Sequence, residues 1–394
     1  MEHKKIIIIG GGIAGISCAL KLKEAGEDFL LVTERLVGRI YYSDEEKVNY
    51  GAYFVMDNYR HVKKILKKTT GLSKINAQFH NSEDDCFTLI SLKTLRLIPQ
   101  LLRFAFAMII FAIHFEKYKK SCESMPVREA LELDPYMRHI FDTPASDFIA
   151  RHGFGDANRE FFSKFSYACT AVPAEKINAL DYLTLSMGLL LPIHRFVFDN
   201  AGMAGKFNKE LVVDSVTGIT QKKDLYTLTT KSGRKFSCDY AVVATEGSVT
   251  KKLLHLPFVR KSYLLQVYHV RGALKEKYAR YTMNLFAEKS KIIAITMQDD
   301  RSYLVFASTK DSRYLDACFK SYEIIGSVTW EKALYTEGKE IVDEQFPAFG
   351  KNLYIAGEHN CVGMEPSAIS GIFAANRILS SVRSVGNPGT AEDR

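Results

Sequence analysis

The seven cysteines of this 394-residue chain, Cys18, Cys86, Cys122, Cys169, Cys238, Cys318 and Cys361, lie far apart, with no C-x-x-C and no histidine at ligand spacing. This excludes a zinc ribbon, a thioredoxin-type dithiol and a secreted disulfide framework, and it fits free thiols in a reducing compartment. No metal site is expected. Catalytic triads and paired acids are missing too. No uninterrupted apolar run reaches the roughly 20 residues that a bilayer span requires. Lys plus Arg exceed Asp plus Glu by 53 to 45, a formal net charge of +8, but the cations are dispersed and no nucleic-acid motif accompanies them, so nucleic acid is not an expected partner. Met1 to Lys5 run directly into an apolar strand and leave no room for a secretory signal, which makes the cytoplasm the expected location.

What is present begins at Ile6. Four isoleucines, Ile6 to Ile9, predict a buried strand, and Gly10, Gly12 and Gly15 then match G-x-G-x-x-G. That order suits a turn on which a pyrophosphate can lie close to the backbone. Ile13, Ile16, Ala19, Leu20 and Leu22 fall at helical spacing up to Gly26, so a helix N-terminus formed by Ile13, Ala14 and Gly15 faces the anion. A second strand, Phe29 to Val32, leads to Glu34, followed by Arg35. A carboxylate there is placed to accept from both ribose hydroxyls and would repel a 2'-phosphate. The stretch describes a dinucleotide site and leaves FAD and NAD both open.

Downstream come Arg35-Leu36-Val37-Gly38-Arg39 and Asn49-Tyr50-Gly51-Ala52. With the fingerprint, these segments resemble the flavin amine oxidase superfamily, which includes monoamine and polyamine oxidases, protoporphyrinogen oxidases and phytoene desaturases. Val37 and Asn49 depart from its usual glycine and acid. The resemblance implies that Gly38, Arg39, Gly51 and Ala52 lie near the pyrophosphate and flavin, and that Val216 and Ala244 pass beside the adenosine half. Asn352 to Glu358 resembles the family's closing strand, and a helix is predicted from Pro366. The resemblance places Gly357 and Glu358 at the ribityl-pyrophosphate, and Pro366 and Ser367 at the flavin edge that gains negative charge on reduction. This closing element favours FAD over NAD. No cysteine stands in the stretch just after Trp330, the next being Cys361, so non-covalent FAD is expected. Catalytic residues are not identified; His269, Arg271 and Trp330 are the candidates.

The expected fold class is α/β, a Rossmann-type FAD domain interleaved with a substrate domain of helices and an antiparallel sheet. The FAD domain takes residues 1–75, 200–255 and 340–385, the substrate domain 76–199 and 256–339, and 386–394 form a disordered tail. Residues 55–75 read as one helix, and Asn158 as the cap of Arg159 to Ala168. The short linker before Val213 suggests a missing helix. Residues 95–115 are nearly all apolar and read as a helix buried in the substrate domain, with peripheral membrane contact through an interfacial helix as the alternative. The expected function is FAD-dependent hydride removal from an amine or hydrophobic C–H donor, a small molecule; the alternatives are a non-catalytic or redox-sensing flavoprotein and an NAD-binding protein.

Overall fold

The computed structural model describes residues 1–82 and 84–386; the expected tail lies outside these except for Gly386. Ile6 to Ile9 form the centre of a seven-stranded sheet, and the alternation of a strand sends Ile6 and Ile8 to one buried face and Ile7 and Ile9 to the other. The strand Glu2–Gly11 pairs in parallel with Phe29–Leu36 on one side and Lys235–Val243 on the other. Leu211–Val213 extends the sheet beyond Phe29–Leu36. Leu353–Ile355 joins Lys235–Val243 in parallel, and the hairpin Val216–Lys222 and Leu225–Thr230 adds antiparallel strands. A sheet apolar on both faces has to be covered on both. On one face the helix Ile13–Glu24 does this, and the C-terminal helix Met364–Gly386 packs against it.

A second seven-stranded sheet runs in the order Phe319–Trp330, Leu265–Leu274, Tyr303–Ala307, Ile292–Met297, Met283–Phe286, Ala77–His80, Cys86–Thr88. Its pairings are antiparallel except that between Met283–Phe286 and Ala77–His80. A helical segment from Ile98 to Leu190 lies in sequence between Cys86–Thr88 of the second sheet and Leu211–Val213 of the first.

Several expectations are corrected. Residues 55–75 are not one helix: Val55–Met56 and Lys67–Gly71 pair with Ile193–Val197, and only Val62–Lys64 makes a helical turn. The β-branched Thr69 and Thr70 and the terminal Gly71 suit that edge strand, and cross-strand pairing overrides an apolar spacing that fits a helix. The linker holds a helix after all, Asn200–Phe207, started by the Asp199 side chain accepting from Gly202 N. Asn158 is not a cap. It lies inside a continuous helical run from Gly155 to Thr170, and its Oδ1 accepts from Tyr182 Oη at 2.7 Å. The last helix starts at Met364, two residues before Pro366.

Glu365, in the first turn of that helix, is buried and turns its carboxylate onto Arg60 N, His61 N and Val62 N at 2.7, 2.9 and 3.1 Å. This anchors the helix start to the segment after Gly51. Glu365→Ala would leave three backbone donors without an acceptor and is expected to cost about 2 kcal/mol, read as a lower urea midpoint. Glu365→Gln, which keeps an acceptor oxygen, should recover part of the loss.

Candidate functional site

Each fingerprint glycine has its own geometric reason. Gly10 has φ +106°, and a Cβ there would lie 2.5 Å from Ala244 O. A Cβ on Gly15 would overlap Gly10 O, whereas one on Gly12 would meet nothing within 4 Å. Gly10 thus makes the turn, Gly15 lets the helix close on the strand, and Gly12 presents open space to a ligand. Gly12 is the N-cap of the helix, with no side-chain cap and no acid in the first turn. Ile16 N bonds Gly12 O at 2.9 Å, so the N–H groups of Ile13, Ala14 and Gly15 have no partner within the helix. An open glycine face at an uncapped, acid-free helix start is chemically matched to a pyrophosphate.

Thr33 and Val37 hold the adjoining turn. Gly11 N donates to Thr33 Oγ1 at 2.9 Å, Thr33 Oγ1 donates to Arg35 O at 2.7 Å, and Val37 N donates to Gly11 O at 2.6 Å. Val37 takes φ +74°, a left-handed conformation unusual for a β-branched residue. A Cβ on the following Gly38 would lie 3.3 Å from Gly12 Cα, so the second turn rests on the open glycine of the first. Gly51 must be glycine because a Cβ there would overlap Arg39 O. Asn49 donates its amide to Phe196 O at 2.8 Å, a bond that an ionised acid could not make. Glu34 is exposed at the end of its strand and accepts from Ser215 Oγ, beside Val216. Ala244 N donates to Ile9 O at 2.8 Å. Arg35 lies against the rings of Tyr41 and Trp330, 5.2 and 5.3 Å from their centroids.

The two remote ends meet. Arg39 forms an ion pair with Glu358 and donates to Ala333 O at 2.7 Å, while Tyr335 N donates to the same Glu358 carboxylate at 3.2 Å. Gly357 N donates to Ser370 Oγ at 2.7 Å, and a Cβ on Gly371 would overlap Ala14 O. The closing element therefore sits directly on the fingerprint helix. Ser367 N closes the first turn onto Gly363 O at 3.2 Å. Pro366 has no N–H, so the unpaired donors of that helix start belong to Met364 and Glu365 and not to Ser367.

His359 was not anticipated. It is buried, its Nε2 has no partner, and burial with Arg39 nearby depresses its pKa to about 4. It lines a small cavity with Gly357, Pro366, Ser370, Tyr118 and Cys122. Only its place next to Glu358 could have suggested it. Glu344, on the same cavity, accepts from Asn360 Nδ2 at 2.8 Å and Val127 N at 3.3 Å, and burial pushes its pKa up to about 7. Its folded pKa lies above the unfolded value, so the folded state binds the extra proton and stability falls as pH rises from about 4.5 to about 7. Glu344→Gln should remove a loss of about 3 kcal/mol across that window. Wild type and variant should converge in chemical denaturation near pH 4 and diverge by pH 8; a constant difference at both would refute this assignment.

Of the catalytic candidates, Arg271 is corrected: it is exposed and lies 3.9 Å from Asp300, on a strand end facing solvent. His269 is buried, bonds Ser302 Oγ at 2.7 Å and meets the Tyr50 ring edge-on at 6.2 Å. Trp330 donates Nε1 to Tyr50 O at 2.7 Å. His269 and Trp330 thus converge on Tyr50, and the Trp330 N–H is already committed to holding the Gly51 turn. Beyond Ala52 is an aromatic group: Tyr53 against Phe306 and Arg195, and Phe54 against Phe165. A Cβ on Gly188 would lie 2.8 Å from Phe165. Tyr53 and Phe54 follow Gly51-Ala52 without a gap, and that adjacency was the available signal.

Residues 8–69 match the family model described as an NAD(P)-binding Rossmann-like domain. (S)-6-hydroxynicotine oxidase from Paenarthrobacter nicotinovorans is 24% identical over 297 residues, 68% of this chain and 68% of that protein. A structure of wild-type putrescine oxidase bound to putrescine superimposes with a TM-score of 0.69 at 12% identity, covering 97% of this chain and 99% of that one. A CLA-producing fatty acid isomerase from P. acnes gives 0.65 at 13% identity, over 95% and 98% of the two chains. The chain thus shares the fold of these two solved structures and carries an NAD(P)-binding Rossmann-like segment at residues 8–69.

Proposed function

We propose that this chain is an FAD-dependent oxidoreductase that removes a hydride from a small amine or hydrophobic C–H donor. The observation that carries the reading is the contact of the two ends: the Arg39–Glu358 pair and the fit of Gly371 on Ala14 O assemble one continuous site from residues more than three hundred positions apart. Gly12 and the N–H groups of Ile13 and Ala14 would hold the pyrophosphate, Glu34 the adenosine ribose, and Glu358 the ribityl chain. When bound, FAD supplies the two-electron acceptor. The chain's own residues position it and keep water out, and Tyr53, Phe54, Phe165 and Phe306 offer an apolar wall for the donor. We take 1–75, 200–255 and 340–385 as the cofactor-binding part and the remainder up to 339 as the substrate part.

The reading includes non-covalent attachment: no cysteine lies between Trp330 and Cys361, and burial raises the Cys361 thiol well above its ordinary pKa, which makes it a poor nucleophile. The relatives support an amine or a fatty acyl chain as donor classes. All seven cysteines are free, in keeping with the cytoplasm.

The purified protein is expected to be yellow and to release FAD into the supernatant on acid precipitation. Flavin retained on the pellet would overturn non-covalent binding, and protein colourless even after FAD is added would overturn the reading. Anaerobic mixing with diamines, cyclic amines and unsaturated fatty acids should bleach the flavin with one class. Failure of every donor would favour a flavoprotein without turnover, for which Val37 in its left-handed turn and Pro366 at the helix start are the supporting departures.

A further inference from the structure

The helix Ile98–Ser121 packs only one of its sides. Phe104, Ala107, Met108, Phe111, Phe115 and Tyr118 are buried, and Phe104 stacks on Phe162 with centroids 3.8 Å apart. The expected core helix is therefore half right. The opposite side is as apolar as the first and faces solvent: Leu102, Phe106, Ile109 and Ile113 are 66, 67, 60 and 55% exposed. Their spacing of three and four residues puts them on one stripe with Ile98. From Ile98 to Ile113 the stripe runs about 22 Å, and Leu95 and Leu92, both exposed in the short preceding helix Leu92–Arg96, continue it. A contiguous exposed apolar face of this kind marks an interaction site.

Its charge surroundings identify the occupant. Between Leu92 and Ser121 the chain carries Lys93, Arg96, Arg103, Lys117, Lys119 and Lys120 against a single acid, Glu116, which pairs with Arg60 and Lys119. Arg96, Arg103, Lys117 and Lys120 are exposed. By helical spacing Arg96 and Arg103 flank one edge of the stripe, and Lys117 and Lys120 close its C-terminal end. We propose that this face is a docking surface for an anionic lipid bilayer, with the helix lying in the interfacial plane. Apolar side chains enter the acyl boundary while the cationic rim meets lipid phosphates, the pattern of a monotopic amphipathic helix. The helix does not cross the bilayer, because its other side is locked into the core through Phe104, Phe111 and Phe115. A second copy of this chain is a poorer occupant, since a two-fold pairing of the stripe would bring the cationic rims of both copies to one interface.

The test is co-sedimentation of the full-length holoprotein with phosphatidylcholine vesicles, with and without one-third phosphatidylglycerol, at low and high salt. Binding to the anionic vesicles is expected, weakened at high salt. Phe106→Asp with Ile109→Asp should lower partitioning by about tenfold or more, since both apolar anchors are replaced by anions. Both side chains are exposed, so flavin content and melting temperature should be unchanged. Lys117→Glu with Lys120→Glu should weaken anionic binding while leaving the apolar stripe intact, which separates a lipid effect from damage to the fold. Recovery of wild type in the supernatant with every vesicle overturns the proposal. So does a concentration-dependent dimer, abolished by Phe106→Asp and Ile109→Asp, that shows no vesicle binding.

Discussion

Gly371→Val is expected to yield protein without flavin and with a lower melting temperature, although residue 371 belongs to neither the fingerprint nor the Gly357-Glu358 pair. A Cβ at that position would overlap Ala14 O, and Ala14 Cα lies 3.1 Å away. Both partners are backbone atoms of long helices, so no side chain can swing aside. The helices must separate, and the separation is transmitted in two directions. On one side it disturbs the N–H groups that would hold a pyrophosphate; on the other it moves Ser370, whose Oγ accepts from Gly357 N. Overpacking of this kind costs about 3 kcal/mol or more, and displacement of the two halves should reduce FAD affinity on the order of a hundredfold, about 2.7 kcal/mol. Gly205→Ala provides the control. A Cβ there meets nothing within 4 Å in the exposed helix Asn200–Phe207, and alanine should raise stability by about 0.5–1 kcal/mol. Flavin content would be measured by absorbance after denaturation and stability by thermal melting. A yellow Gly371→Val protein with the wild-type melting temperature would mean that this helix contact does not hold the site together.

The difference between Gly12 and Gly371 shows what the sequence could disclose. The strand, turn and helix around Gly12 are consecutive, and local physics dictates them: β-branched residues, then glycines, then helical spacing. Those elements were legible, as was the presence of an antiparallel sheet within residues 256–339, but the strands Ala77–His80 and Phe319–Trp330 that complete it were not. Gly371 sits in a helix where glycine has no local reason, and its reason is a carbonyl more than 350 positions away. For the same cause the meeting of Arg39 and Glu358 was reachable only through family resemblance. Errors arose where local signals were ambiguous. The spacing of Val62, Ile65 and Leu66 fits a helix as well as it fits the turn and strand that form, and Ile193–Val197 decides between them. Gly202 and Gly205 masked the helix at Asn200, whose start is set by Asp199. In residues 95–115 an all-apolar helix does not announce which side the core takes. Phe154 and Phe162 choose Phe104, and Phe106 is left outside.

Arg260→Met should be the most destabilising change away from the cofactor, because it would strand a carboxylate that has almost no access to water. Asp181 is 0% exposed and Arg260 1% by side chain, with Nη1 and Oδ2 2.6 Å apart. Arg260 Nη2 also donates to Asn360 O at 2.8 Å, and the other Asp181 oxygen accepts from Val362 N at 2.9 Å. Asp181 belongs to the helix Ala179–Leu190, capped by Asn178, while Asn360 and Val362 belong to the loop that follows Glu358. The pair thus ties the helical segment to the closing element of the cofactor site. Breaking a buried pair by removing one partner typically costs about 3–5 kcal/mol, whereas replacing both with neutral groups costs far less. Arg260→Met alone is therefore expected to lose about 4 kcal/mol in urea unfolding and to bind FAD more weakly. Adding Asp181→Asn, which keeps an acceptor for Val362 N and removes the stranded charge, should recover about half of that loss. If the double variant is no more stable than Arg260→Met alone, the cost lies in the packing of the arginine stem and not in the unpaired carboxylate. If stability recovers while FAD affinity does not, the ion pair acts mainly by fixing the loop after Glu358 in the register that the cofactor site requires.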